Sequence, residues 1–168
     1  MPAPEGFTHW LAGQRTALLR SATLLTGDIA LAEDLVQEAA VKVAARWERL
    51  RDEQPTAYAR RIVFRDHATW WRRRRETPVG APDAVASDRA TPTTDTEVRH
   101  VVLAALATLP HGQRAVVVLR YFDDLTERQA AEVLGVSLGT IKSQAHTALA
   151  RLRDHPDLRD LVGKEALR

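Results

Sequence analysis

The proline-rich stretch TPVGAPDAVASDRATPTTD, residues 77–95, constrains this chain more than any other feature. It holds three prolines among small and hydroxyl residues, and no apolar residue recurs in it at helical spacing. Proline removes a backbone donor and clashes with the preceding helical turn, so neither helix nor sheet is expected there. Taken as residues 77–96, it reads as a flexible, slightly acidic linker. It divides the 168 residues into domains at 1–76 and 97–168. Parts of about 75 residues can fold alone, with modest cores.

Both flanking parts carry the period of a helix, and neither shows the alternation of a strand. In the first, Phe7, Trp10, Leu11, Leu18 and Leu25 mark a helix over 7–25. Gly27 suits its C-terminus and Asp28 the N-cap of the next. That helix, over 29–49, places Leu31, Leu35, Ala39, Val43 and Trp47 on one face. Pro55 precedes a third, over 56–75. There Ala59, Ile62, Val63 and Trp70 read as core, while Arg61, Arg65 and Arg72 gather on another sector. Phe64, His67 and Trp71 read as lying opposite the core. The stretch ATWWRRRRE, residues 68–76, ends this helix.

In the second part, Thr94 and Glu97 form a capping box ahead of a helix over 98–109. A helix over 112–122 follows Pro110. LTERQAAEVLGVSLGTIKSQAHTALARLR, residues 125–153, then gives the strongest local signal. Thr126 and Gln129 cap a short helix that ends at Leu134. Gly135 permits the positive φ of a tight turn. Ser137 caps a longer helix over 138–153, and a short last helix follows Pro156. Helix, glycine turn and second helix at this spacing form a helix-turn-helix. Ala130, Ala131, Val133, Leu134, Val136, Ile141, Ala145 and Leu149 read as its buried side. Gly139, Thr140, Lys142, Ser143, His146 and Thr147 lie on the outer face, small and polar enough to enter a major groove. A plain helical hairpin with a solvated face is the competing reading. The predicted fold is all-α, two small helical domains joined by a flexible linker.

Charge narrows the partners. The net charge is only +2, so overall charge demands no polyanion, but four adjacent arginines at 72–75 concentrate positive potential. Aromatic rings beside arginine are what unpaired bases bind: rings stack and guanidinium groups neutralise phosphate. Trp71 is assigned to that role, with packing against a neighbouring helix as its other possible place. Glu33, Asp34, Gln37 and Glu38 make an acidic and amide face whose use physics alone leaves open.

Other classes are expected to be excluded. There is no cysteine, hence no disulfide or thiolate site. MPAPEGFTHW lacks a basic region followed by an apolar run, so a signal peptide is not expected. The apolar run around 101–109 is too short to cross a bilayer. We expect a cytoplasmic protein without membrane insertion, cofactor, metal or catalytic residues.

With these motifs in hand, a resemblance can be stated. ALAEDLVQEAAVKV, the tryptophan–arginine helix, the proline-rich linker and LATLPHGQRAVVVLRYFDDLTERQAAEVLGVSLGTIKSQAHTALARLR together resemble the extracytoplasmic function (ECF) subfamily of bacterial sigma factors, in its actinobacterial form. The resemblance covers residues 10–155. It implies that residues 1–76 are like sigma domain 2, which binds core RNA polymerase at the β′ clamp helices and opens the −10 element. Asp34, Leu35, Gln37 and Glu38 would make the polymerase contact. Arg51, Asp52, Tyr58, Arg61 and Arg65 would meet the −10 strand, with Trp71 and with Arg72, Arg73 and Arg74 on the backbone. Residues 97–168 would be like sigma domain 4, which reads duplex −35 DNA beside the β flap. Gly139, Thr140, Lys142, Ser143 and His146 match its reading positions, and Arg114 and Arg128 could add phosphate contacts. An anti-sigma factor is implied as a further partner. The sequence departs from the family at Ala40 and Ala44, where many members carry an aromatic residue. It also departs at Arg65 in place of Asn, and at Gln144 and Thr147 in place of basic residues. A stand-alone helix-turn-helix regulator is the alternative function.

Overall fold

The computed structural model of the chain describes residues 3–76 and 94–165, with side chains described for 3–76 and 95–160. Every regular element among the described residues is helical. Two compact units divide the chain. One is built on α1 (Phe7–Thr26), α2 (Ile29–Ala44), the single turn α3 (Trp47–Leu50) and α4 (Pro55–Glu76). The other is built on α5 (Thr94–Ala107), α6 (His111–Val117), a π-helical turn (Val118–Phe122), α7 (Glu127–Leu134) as far as Ala131, α8 (Leu138–Arg153) and α9 (Pro156–Glu165). Of the linker expected at 77–96, residues 77–93 lie outside the described residues, and residues 94–96 are already helical.

In the first unit, α1 ends at Gly27, whose φ of 73° is open to glycine at little cost, and its N–H returns to the Thr23 carbonyl. One residue later Asp28 accepts from the Leu31 N–H at 3.1 Å and starts α2. α2 stops at Ala44, short of the 29–49 expected. The chain turns at 45–46, and Trp47 begins α3. Trp47 is buried against Phe7 and Trp10, each at a ring separation of 5.6 Å. Its Nε1 donates to the Glu5 carbonyl at 2.7 Å, so the buried indole keeps a polar partner.

α4 packs against both α1 and α2. Its buried arc is therefore wider than one apolar stripe. Phe64 (1% exposed) and His67 (3%) are core residues, which corrects the expectation that they lie opposite the core. At 100° per residue, His67 is only about 40° from Val63, and the buried arc from Ile62 round to Phe64 spans about 200°. Burying Phe64 contributes about 1.5–3 kcal/mol.

In the second unit, α6 buries Ala115, Val116 and Val117, and the π-helical turn that continues it buries Val118 and Leu119. The helix expected over 112–122 changes pitch at Val118, where the Asp123 N–H reaches back to the Val118 carbonyl at 3.0 Å. The Thr94 side chain of the expected capping box lies outside the described residues. The Thr126–Gln129 box is present, with its two bonds at 2.8 and 3.2 Å. Gly135 has φ +66°, and Ser137 accepts from the Thr140 N–H at 3.1 Å.

Burial in the helix-turn-helix differs in part from expectation. Ala130, Val133, Ile141 and Ala145 are buried, and so is Ala148, which the sequence reading passed over. Ala131, Leu134 and Leu149 are half-buried. Val136 is 39% exposed, because the turn carries it outward. α8 rests chiefly on α6, so its apolar stripe serves that contact first.

Candidate nucleic-acid and protein interfaces

The outer face of α2 is set by what the helix buries. Ala32, Leu35, Val36, Ala39 and Val43 point inward, leaving Asp34, Gln37 and Glu38 exposed. Leu35, also expected at the contact, is 8% exposed, so most of its side chain packs within its own unit. Val41 is the most exposed large apolar residue of this helix. It is 59% exposed, and at helical spacing it falls between Gln37 and Glu38. Beside this face a groove of ≈ 290 Å³ runs between α1 and α2, with Leu11, Leu19, Val36 and Ala40 among its lining residues and Gln37 at its edge. Ala40, where the resemblance leads us to expect an aromatic residue, is one of those lining the groove.

The residues expected at the −10 strand fall into two groups. Tyr58, Arg61, Arg65 and Arg72 lie within about 60° of one another on α4, a stripe about 21 Å long. Arg65 and Arg72 are exposed, and Tyr58 and Arg61 are half-buried. Arg61 Nε is buried without a hydrogen-bond partner among the described residues. Arg46 donates to the Tyr58 hydroxyl and lies over its ring at 5.6 Å. Arg51 and Asp52 sit apart in the exposed turn before α4. There Arg51 pairs with Glu48 at 3.3 Å and with Asp52 at 3.6 Å.

The tryptophan–arginine run divides residue by residue. Trp70 is half-buried, stacked on His67 at 5.7 Å and 17°. The Arg74 guanidinium lies over the Trp70 ring at 5.0 Å. That contact draws Arg74 onto its own domain. Trp71 is half-buried, with its ring 6.3 Å from that of Trp70. Arg72 and Arg73, with Arg75, are exposed at the helix end. Arginine at a helix C-terminus is also favoured by the helix dipole.

On α8, Gly139, Thr140, Lys142, Ser143 and His146 are all exposed. The burial of Ile141, Ala145 and Ala148 fixes them on the opposite side. Ser137 Oγ also lies 2.9 Å from Thr140 Oγ1, and Lys142 Nζ lies 3.9 Å from Glu127 on α7. Thr147 joins this face, whereas Gln144 is half-buried and sits against Gly112 of α6. A basic residue at 144 would not face the same way as Lys142. Leu138 is 42% exposed at the helix start.

Arg128 is exposed and Arg114 half-buried. Desolvation lowers the Arg114 pKa to about 10, leaving it charged at neutral pH. Desolvation, and then the Arg114 charge, also lower the pKa of His111. Among the described residues there is no cluster of three or more metal-ligating side chains, and no helix is long and apolar enough to cross a membrane.

The described residues thus hold an arginine-striped helix, α4, and a helix-turn-helix formed by α7 and α8. Residues 14–77 match the family described as Sigma-70 region 2, and residues 99–152 match Sigma-70, region 4. The RNA polymerase sigma-E factor of Streptomyces avermitilis is 38% identical over 159 residues, covering 92% of this chain and 87% of that protein. The ECF RNA polymerase sigma factor SigL of Mycobacterium tuberculosis is 32% identical over 145 residues, 81% and 80% of the two chains. The fold is also that of the sigma factor RpoE crystallised with the anti-sigma factor NepR from Bartonella quintana. That pair shows a TM-score of 0.70 at 23% identity, over 90% of this chain and 96% of that one. The chain belongs to the ECF subfamily of RNA polymerase sigma factors, in its actinobacterial form.

Proposed function

We propose that the chain acts as a non-catalytic promoter-specificity subunit in the cytoplasm. Its first unit binds core polymerase through Asp34, Gln37, Glu38 and Val41 on α2. The stripe of Tyr58, Arg61, Arg65 and Arg72 on α4 then holds the melted −10 strand. Arg73 adds phosphate attraction at the helix end, and Arg51 and Asp52 line the approach. Its second unit reads duplex −35 DNA with Gly139, Thr140, Lys142, Ser143 and His146. The β′ clamp helices and β flap of the polymerase are the intended partners, and an anti-sigma factor is the regulator that occludes them.

The observation that carries this reading is the division of labour between α4 and α8. One offers aromatic and guanidinium groups, and the other a capped, small polar face. Arg61 Nε supports it further, since a buried donor without an acceptor costs stability unless a ligand satisfies it. Each DNA contact is weak alone. Held by one polymerase, the two units act at high effective concentration on one promoter.

Run-off transcription with purified core polymerase tests the reading. The expected result is a promoter-dependent transcript and co-elution with core. Asp34→Ala with Gln37→Ala should lower core affinity while −35 duplex binding persists. No transcript, with tight binding of the isolated protein as a dimer to a palindromic operator, would instead mark a stand-alone regulator.

A further inference from the structure

α2 and α4 are joined by more than their apolar contact. Lys42 Nζ on α2 donates to Asp66 Oδ2 on α4 at 2.7 Å. The same ammonium lies 3.4 Å from Glu38, one turn earlier on α2. The Lys42 and Asp66 side chains are 41% and 35% exposed, so the pair is neither fully solvated nor sealed. The hydrogen bond to Asp66 is the largest cause raising the Lys42 pKa above its ordinary value, against a smaller opposing desolvation.

The two ends of this bridge are placed unusually. Glu38 belongs to the surface assigned above to polymerase. Asp66 is flanked by exposed Arg65, assigned to the −10 strand, and by buried His67, on which Trp70 stacks. One ammonium shared between two carboxylates thus stands between the two surfaces of the first unit. Stability alone does not account for it. A part-exposed pair is worth only about 0–1 kcal/mol, and the buried side chains of α2 and α4 already hold the helices together. What a 2.7 Å bond can fix is the rotation of α4 at the residue beside Arg65.

We propose that Lys42 and Asp66 form a positioning brace that sets the strand-binding face of α4 relative to the polymerase-binding face of α2. Neither residue touches DNA or polymerase; both act through Arg65 and its neighbours on the stripe. The proposal rests on the promoter-specificity reading above and adds to it two residues to which that reading gives no role.

The test uses holoenzyme assembled with Lys42→Met, Asp66→Asn, the double variant carrying both, or Lys42→Arg. Methionine keeps most of the aliphatic stem, so folding should survive. Two affinities are measured: for core polymerase, and for a single-stranded oligonucleotide carrying the −10 non-template strand of the promoter used in run-off transcription. Lys42→Met and Asp66→Asn should each weaken strand capture about threefold, the size expected of a part-exposed pair, with core affinity unchanged. The double variant should lose no more than either single one. Lys42→Arg, which keeps a cation within reach of both Glu38 and Asp66, should retain capture. Wild-type capture by both single variants would overturn the brace. So would a parallel fall in core affinity, strand capture and thermal midpoint, which would leave the pair a purely structural role. A wild-type holoenzyme that transcribes but does not retain the strand would remove the proposed −10 role of α4 itself, and the brace with it.

Discussion

α4 and α8 are both long amphipathic helices assigned to DNA, and they are built in opposite ways. α4 packs on two neighbours and buries an arc that includes Phe64 and His67, so its free surface is a narrow stripe of Tyr58 and arginine. α8 rests chiefly on one neighbour, α6, and leaves a wide face of Gly139, Lys142, Ser143 and His146 open. A narrow stripe that holds rings and guanidinium groups suits a flexible single strand, which can bend to follow it. A wide face of small side chains suits a duplex groove about 12 Å across. The contrast teaches that the number of neighbours a helix has, more than its composition, sets what its exposed side can offer.

The first way to break this contrast is to test whether each unit stands on its own core. Phe64→Ala should cost about 3–5 kcal/mol and Ile141→Ala about 2–5 kcal/mol, the usual range for deleting fully buried side chains. All four tryptophans (Trp10, Trp47, Trp70 and Trp71) are in the first unit, so denaturant unfolding followed by tryptophan fluorescence reports that unit alone. Hydrogen exchange of α6 and α8 amides reports the other. Phe64→Ala should shift the fluorescence midpoint and leave α8 protection intact, and Ile141→Ala should do the reverse. Loss of both signals with either variant would mean that the two helices depend on one cooperative core, and the comparison between them would fail.

Phe64 also shows where the sequence was legible and where it was not. Caps and breaks are local chemistry. Gly27, Asp28, the Thr126–Gln129 box, Gly135 and Ser137 were readable because each requires only its own neighbours. The all-helical class and the exposed residues of α8 followed from the same periodicity. Burial on α4 was less readable, since an apolar stripe tells which side is buried against one helix and says nothing about a second. His67 could have been found from its spacing of four from Val63 and three before Trp70. Leu35 was placed at the contact by motif, which says nothing of how much of it packs within its own unit. The end of α2 at Ala44 depends on Trp47 reaching Phe7, a contact across forty positions that no local pattern contains. Lys42–Asp66 is long-range in the same way.

A smaller effect sharpens the contrast between strand and duplex. Each phosphate neutralised on single-stranded DNA contributes a salt slope of about 0.7, against about 0.9 on a duplex. With holoenzyme, changing Arg72, Arg73 and Arg75 together to Ala should flatten the dependence of log affinity on log salt for a −10 single strand by about 2. It should leave the isolated −35 duplex slope unchanged. Lys142→Ala should flatten the duplex slope by about 1 and spare the single strand. A Lys142 effect on strand capture, or an arginine-run effect on duplex binding, would show that the two helices are not specialised as their surfaces suggest.

The smallest expected effect concerns the helix on which α8 rests. His111 opens α6 directly after Pro110 and is half-buried. Desolvation first, and the Arg114 charge second, push its pKa below the ordinary 6.5. A cation at a helix N-terminus also opposes the helix dipole. With the folded pKa lowered, the unfolded chain binds more protons over the interval between the two values. Stability of this unit must then rise with pH across that interval. It is highest above 6.5, where His111 is neutral in both states, falls as pH drops through 6.5, and levels off below the folded pKa. His111→Gln should therefore flatten the pH dependence of α6 and α8 amide protection as pH drops through 6.5, while tryptophan-detected unfolding of the α4 unit keeps its own profile. An unchanged slope in the α6 and α8 signal would place the titrating group elsewhere. A matching change in the tryptophan signal would tie the two units together, against the independence from which the comparison of α4 with α8 begins.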